Sequence, residues 1–268
     1  MAVIGTENLT FERRGATAIV TMNRPEAKNA LSLPMLVGML DAWTEVDRDD
    51  DIRSAILTGA GGTFCAGMDL KSMGDTSPEN EKYRLRMQED PDLHWKALLR
   101  HYQPKKPLIA AVEGYAVAGG TEILQGTDIR VAGESAIFGV FEARRGLFPL
   151  GGSTVRLRRQ IPFTVAMDLL LTAREVSAAE AKEIGLIGRV VPDGQALETA
   201  LAISETINAN GPLAVEAIKR SVIETEGMSE EEGLKRELEL GWPIFATEDA
   251  REGQKAFAEK RPPIFEKK

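Results

Sequence analysis

Glu122 and Glu142 are the residues whose types and surroundings best suit chemistry. Glu122 follows a glycine-rich turn, Gly114-Tyr115-Ala116-Val117-Ala118-Gly119-Gly120-Thr121-Glu122. Glu142 lies in the apolar stretch Phe138-Gly139-Val140-Phe141-Glu142. A second glycine-rich segment lies upstream, Gly59-Ala60-Gly61-Gly62-Thr63-Phe64-Cys65-Ala66-Gly67-Met68-Asp69-Leu70. Two carboxyl groups in apolar surroundings can divide acid and base roles between them. Two glycine-rich turns can offer bare backbone N–H groups to a developing oxyanion. The combination suits reactions next to a carbonyl. Each piece alone has a plainer reading. A glutamate at a helix start balances the macrodipole, and one close to Arg144 and Arg145 can pair with them. A glycine-rich turn is most often only a turn, and Cys65 packs as a small buried residue.

The elements that must position these groups are legible as a series. Thr17 to Met22 is β-branched and reads as a strand, broken by Asn23-Arg24-Pro25. Ser32 followed by Pro34 opens a helix through Leu36, Met39, Leu40 and Trp43. Ile52 to Thr58 and Leu108 to Val112 are further strands, the second of the fully buried kind. The chain then runs through Gly119-Gly120 into a helical Thr121-Glu122-Ile123-Leu124. Short strands follow at Ile129 to Ala132 and Ala136 to Phe138. Alternation of strands and helices predicts an α/β fold.

The last third reads as helical. Ser177-Ala178-Ala179-Glu180 is a capping-box sequence with a stop at Gly185. Helices are predicted from Ala196 to Asn208, from Pro212 and from Ser229. We therefore expect an α/β core over residues 1–200 and a helical C-terminal region over 201–268. The polar stretch from Lys71 to Lys106 reads as a mobile loop with one helix.

Composition removes several classes of function. A net charge of −8 argues against general binding to nucleic acid or anionic membrane. The N-terminus has no basic run leading into an apolar core, and no stretch approaches the ~20 apolar residues of a membrane span. With Cys65 as its one cysteine the chain cannot form an internal disulfide, which fits a reducing, cytoplasmic setting. There is no Gly-x-Ser-x-Gly elbow, and His94 and His101 lie in the polar stretch without a zinc or triad pattern. Gly59-Ala60-Gly61 is not a dinucleotide fingerprint, because Phe64 stands where the third glycine is needed.

Taken together and in order, these segments resemble the crotonase superfamily, the enoyl-CoA hydratases and isomerases, and bacterial hydratases most of all. The likeness runs from Asn23-Arg24-Pro25-Glu26-Ala27-Lys28-Asn29-Ala30-Leu31 through Phe64 to Leu70 and Lys106 to Val112. It continues through the two glutamate segments and Gly151-Gly152-Ser153 to Phe257-Ala258-Glu259-Lys260-Arg261. The resemblance implies a spiral of ββα units, with C-terminal helices that build a homotrimer or hexamer. It implies an acyl-CoA thioester as ligand, and no metal or redox cofactor. The oxyanion hole would be the N–H groups of Met68 and Gly119. CoA contacts would come from Lys28, Ala30, Ala66, Asp69, Leu70 and Lys71, with Phe257 near adenine and Lys260 at the 3′-phosphate. Similar bacterial hydratases act on fatty acyl chains, and some on bulky groups such as steroid side chains. Two departures stand out: Ala118 replaces a glycine common in the family, and Met68 is larger than the usual alanine. Neither removes an N–H.

The expected reaction is reversible hydration of a trans-2-enoyl-CoA to a 3-hydroxyacyl-CoA by Glu122 and Glu142. A double-bond isomerase would use the same oxyanion hole. An acyl-CoA hydrolase or dehalogenase would need a nucleophile, and no other carboxylate offers one. A catalytically silent acyl-CoA-binding protein would have no need of both glutamates.

Overall fold

A computed structural model of the chain describes residues 4–70 and 77–268. In chain order it contains β1 (Gly5–Thr6), β2 (Leu9–Arg14), β3 (Thr17–Met22), α1 (Leu33–Arg48) and β4 (Ser54–Gly59). There follow α2 (Glu81–Glu89), α3 (Leu93–Ala97), β5 (Leu108–Val112), β6 (Tyr115–Val117) and α4 (Gly119–Leu124). Next come β7 (Ile129–Gly133), β8 (Ile137–Gly139), α5 (Ser153–Gln160), α6 (Phe163–Thr172), β9 (Val176–Ser177) and α7 (Ala178–Glu183). The chain closes with β10 (Arg189–Val191), α8 (Ala196–Asn208), α9 (Pro212–Glu224), α10 (Glu230–Gly241) and α11 (Glu248–Glu259).

The strands form two sheets. The larger has the order β1-β2-β3-β4-β5-β7-β10, antiparallel from β1 to β3 and parallel from β3 onward. The smaller has the order β6-β8-β9, with β6 and β8 parallel. Each strand of β5 and β7 is followed, a few residues on, by a partner in the other sheet. Cys65 extends the pattern to β4, since it bridges to Ala116 of β6. The result is three successive turns of one spiral.

Alternation along the strands assigns the two faces of the large sheet. Ala55 and Leu57 of β4, and Leu108, Ala110 and Val112 of β5, join the main core with Met35, Met39 and Trp43 of α1. Ala116 and Phe138 of the small sheet lie in the same core. The intervening Ile56, Ile109 and Ala111 face Ala196, Ala200 and Ile203 of α8. Strands buried on both faces in this way read as continuous apolar runs. The boundary drawn at residue 200 falls inside α8, which is a layer of this sheet.

The stretch from Lys71 to Lys106 differs from its expectation. Residues 71–76 lie outside the described residues, but the rest holds two helices, α2 and α3, rather than one. Tyr83, Leu93, Ala97 and Leu99 are buried, and the indole N–H of Trp43 donates to Ala97 O at 3.0 Å. Those contacts fix the segment against α1. The capping box at Ser177 is half formed: Ser177 Oγ accepts from Glu180 N–H, whereas the Glu180 carboxylate turns to Arg174. At Ser229 both halves are present. Among the described residues no helix is long and apolar enough to cross a membrane.

Candidate active site

Each turn of the spiral delivers one functional group to the same edge. After the first turn, Leu31 N–H donates to Gly67 O and Asp69 N–H donates to Leu31 O. In such a parallel bridge the residue between, Met68, points its own N–H the other way. That N–H has no acceptor among the described residues. The second turn ends in Ala118, whose N–H donates to Gly139 O at 2.7 Å, and α4 begins at Gly119. A first-turn N–H has no partner within its helix, and Gly119 N–H finds none elsewhere among the described residues.

The two free N–H groups are neighbours. A Cβ built on Gly119 would lie 3.6 Å from Met68 N, and one on Gly67 would lie 3.1 Å from Gly119 N. Gly67 has φ +92°, and its Cβ would also fall 2.8 Å from the Ala118 methyl, so only glycine fits there. Ala118 itself adopts φ 49° and ψ −125°, a conformation suited to glycine. An alanine held in this conformation stores backbone strain of about 1–3 kcal/mol next to the free N–H groups. Thr121 braces the turn, its Oγ1 lying 2.5 Å from Ala116 O and accepting Gly139 N–H at 3.1 Å.

Glu122 sits in the first turn of α4, which is buried throughout. Its carboxylate receives Gly151 N–H at 2.9 Å and Ser153 N–H at 3.2 Å, from the turn that starts α5. Gly151 must be glycine, since a Cβ would lie 2.6 Å from Glu122 Oε2. Gln125 Nε2 donates to Ser153 Oγ at 2.8 Å and steadies that turn. Burial raises the Glu122 pKa above the usual carboxyl range, and the N–H groups of the α5 turn oppose the rise.

Glu142 is delivered by the third turn. Val117 of β6 pairs with Gly139 of β8, and Glu142 opens the 3-10 helix Glu142–Arg145 just beyond. Its Oε2 is buried and has no hydrogen-bond partner among the described residues. Burial, and next the charge of Glu122, push its pKa up to about 7. The two carboxyls are thus close enough to feel each other. Neither neighbouring arginine pairs with Glu142 among the described residues, and Arg144 lies over the Phe141 ring at 4.3 Å. Cys65 is wholly buried, its thiol pushed up to about 12 by burial, and it packs under the first turn.

The residues expected to hold CoA divide into two groups. Lys28, Ala30, Ala66, Asp69 and Leu70 lie together, because Ala66 N–H donates to Lys28 O and Asp69 N–H to Leu31 O. Lys28 is exposed, with its Nζ 4.8 Å from the Tyr115 ring, and Leu70 is exposed. The Asp69 carboxylate binds Arg24 at 2.9 Å, so its side chain holds the turn. Lys71 lies outside the described residues. Phe257 is on α11 and Lys260 directly follows it, far along the chain, and both are exposed, Phe257 at 87%. Lys260 is not a helical residue, contrary to the reading of the sequence. α11 ends at Glu259, and Lys260 is its C-cap in a left-handed conformation, φ 53°.

Sequence reasoning passed over the groups that hold the site. Asn29 is fully buried, donating from Nδ2 to Ala60 O and Thr63 O and accepting Arg24 N–H. Gly151 and Ser153 entered only as a segment of the family resemblance, not as partners of Glu122. A cavity of about 990 Å3 opens beside Gly152 and Arg156, toward α9 and α10, and neither glutamate lines it.

Comparison with known proteins bears on this arrangement. The sequence model of the enoyl-CoA hydratase/isomerase family matches residues 12–268. An enoyl-CoA hydratase of Mycobacterium tuberculosis, EchA19, is 59% identical over 260 residues, covering 95% of each chain. An (E)-benzylidenesuccinyl-CoA hydratase of Thauera aromatica is 38% identical, covering 96% of this chain and 98% of its own. The crystal structure of an enoyl-CoA hydratase from M. tuberculosis superposes with a TM-score of 0.86 at 41% identity, covering 98% of this chain and all of the other. With the three-turn spiral, the two sheets and the C-terminal helices in common over nearly the whole chain, the protein belongs to the enoyl-CoA hydratase/isomerase family, the crotonase superfamily.

Proposed function

We propose that the protein hydrates a trans-2-enoyl-CoA to a 3-hydroxyacyl-CoA, with Glu122 and Glu142 doing the proton work. One observation carries this reading: two neighbouring backbone N–H groups have no acceptor among the described residues, one of them opens the short helix that carries Glu122, and the charge of Glu122 is felt by Glu142. The thioester oxygen accepts from Met68 N–H and Gly119 N–H and gains negative charge as water attacks C3. Glu122, supplied with N–H donors, is suited to take the proton of that water. Glu142, which keeps a proton near neutrality, is suited to deliver one to C2. Water is added across the double bond with no change of oxidation state overall, so the reaction needs no cofactor beyond the CoA of the substrate.

The CoA would lie along Lys28, Ala30, Ala66, Asp69, Leu70 and Lys71, with its 3′-phosphate at Lys260 and its adenine near Phe257. The chain would act as a homotrimer or a hexamer. Its C-terminal helices leave Val222, Leu238, Trp242, Phe245 and Phe257 exposed, more apolar surface than a monomer keeps without use. A free Phe257 and Lys260 suit contact with the nucleotide of a neighbouring subunit. The free, buried Cys65 fits a cytoplasmic setting.

Loss of the conjugated enoyl-thioester absorbance, followed across short, long and bulky acyl groups, tests the reading. Water addition at C3 on at least one of them supports it. Migration of the double bond without hydration would replace it with isomerisation.

A further inference from the structure

The α5 turn that supplies Glu122 with its N–H donors is fastened at both ends to one neighbouring segment. Ahead of the turn, Arg100 Nε donates to Leu150 O at 2.8 Å. Behind it, Arg156 Nη2 donates to Leu99 O at 2.5 Å and to Arg100 O at 2.7 Å. The two arginines therefore reach across the same gap in opposite directions. The receiving segment is itself stiff. Leu99 is fully buried in a left-handed conformation, φ 57°, and Arg100 lies over the Trp95 ring at 5.2 Å. Arg156 lies directly under the turn, since a Cβ on Gly152 would lie 3.6 Å from its Cδ and Nη1. Its Nη1 is buried with no acceptor among the described residues. Packing alone gives no reason to keep a guanidinium in that position.

The turn has little freedom to adjust. Gly151 and Ser153 each give their N–H to Glu122, and Gly151 Cα is already too close for a methyl group. A displacement of Leu150 or Gly152 is passed to the carboxylate through those bonds.

We propose that Arg100 and Arg156 form a reciprocal clamp whose task is to position Glu122 for proton transfer by fixing the Leu150–Ser153 turn. They are positioning residues and touch no substrate. The inference rests on Glu122 being a catalytic group, as the proposed function has it. An Arg156→Lys change keeps the charge but replaces the rigid planar guanidinium, whose Nη2 meets both carbonyls, by a flexible point charge.

The test is a cycle of variants in the hydration assay. Arg156→Lys and Arg100→Met are each made in the natural chain and in a Glu122→Gln background. Arg100 is exposed, so its variant probes the clamp even if replacement of Arg156 disturbs folding. In the natural chain each should lower kcat about tenfold or more with KM little changed, the order of effect expected when a catalytic group is misplaced. In the Glu122→Gln background each should change kcat by less than about twofold, because the group being positioned is gone. An equal loss in both backgrounds overturns the clamp as a device acting through Glu122, and so does no loss in the natural chain. Full activity of Glu122→Gln by itself would instead overturn the glutamate reading.

Discussion

Glu122 and Glu142 are the same side chain in two opposite kinds of surroundings. Glu122 is enclosed by a helix start that offers it N–H groups from Gly151 and Ser153. Glu142 is half-buried, with one buried oxygen that meets no donor among the described residues. Hydrogen bonds to a carboxylate favour its ionised form, whereas burial without them favours the protonated one. Burial raises the pKa of both glutamates, but only Glu122 has the N–H groups of the α5 turn to oppose the rise. The difference shows that the asymmetry is built by the backbone around each residue.

The strongest way to break the comparison is to neutralise each member. Glu122→Gln and Glu142→Gln should each lower kcat by roughly 10²–10⁴, measured by enoyl-thioester absorbance. The N–H pair beside them comes next. Gly119→Pro removes one donor and should lower kcat by about 10²–10³. A methyl group in the Glu122 cradle sharpens the contrast. Gly151→Ala pushes on the Glu122 carboxyl and should cost about 10² in kcat, while the corresponding crowding is absent at Glu142.

Smaller effects separate binding from chemistry and stability from both. Lys260→Ala should raise KM for CoA substrates about tenfold with kcat nearly unchanged. The effect should vanish on 3′-dephospho-CoA thioesters. For Glu142 the folded pKa, about 7, lies above that of an unfolded glutamate. Between the usual carboxyl range and about 7 the folded chain therefore binds more protons than the unfolded one. Its stability falls as pH rises through that window, and the loss persists above it. Glu142→Gln should raise the melting temperature relative to the natural chain at pH 8 and leave it nearly unchanged at pH 4.5. An equal shift at both values would remove burial of an ionisable group as the cause.

How far the sequence disclosed all this depends on how local each feature is. β3, β5 and α8 have the bounds that their apolar runs and breakers predict, because burial on both sheet faces writes itself into consecutive residues. Glu122, Glu142 and the turns before them were legible through glycine and through their apolar neighbours. α2 was harder to read. It is highly charged and buries only Tyr83, so it shows no apolar stripe. The cradle of Glu122 was hidden for another reason: Gly151 and Ser153 stand 29 and 31 residues away, and only the spiral brings them back. The left-handed turn at Lys260 was hidden as well, since no glycine or asparagine announces it.

The central claim is that these two glutamates act as one acid–base unit, and a double-mutant cycle tests it most directly. kcat for hydration is measured for the natural chain, Glu122→Gln, Glu142→Gln and the double variant on one substrate. A cooperating pair predicts that each single change costs roughly 10²–10⁴ and that the double variant is little worse than the poorer single one. Costs that multiply, or a single variant with full activity, would contradict it.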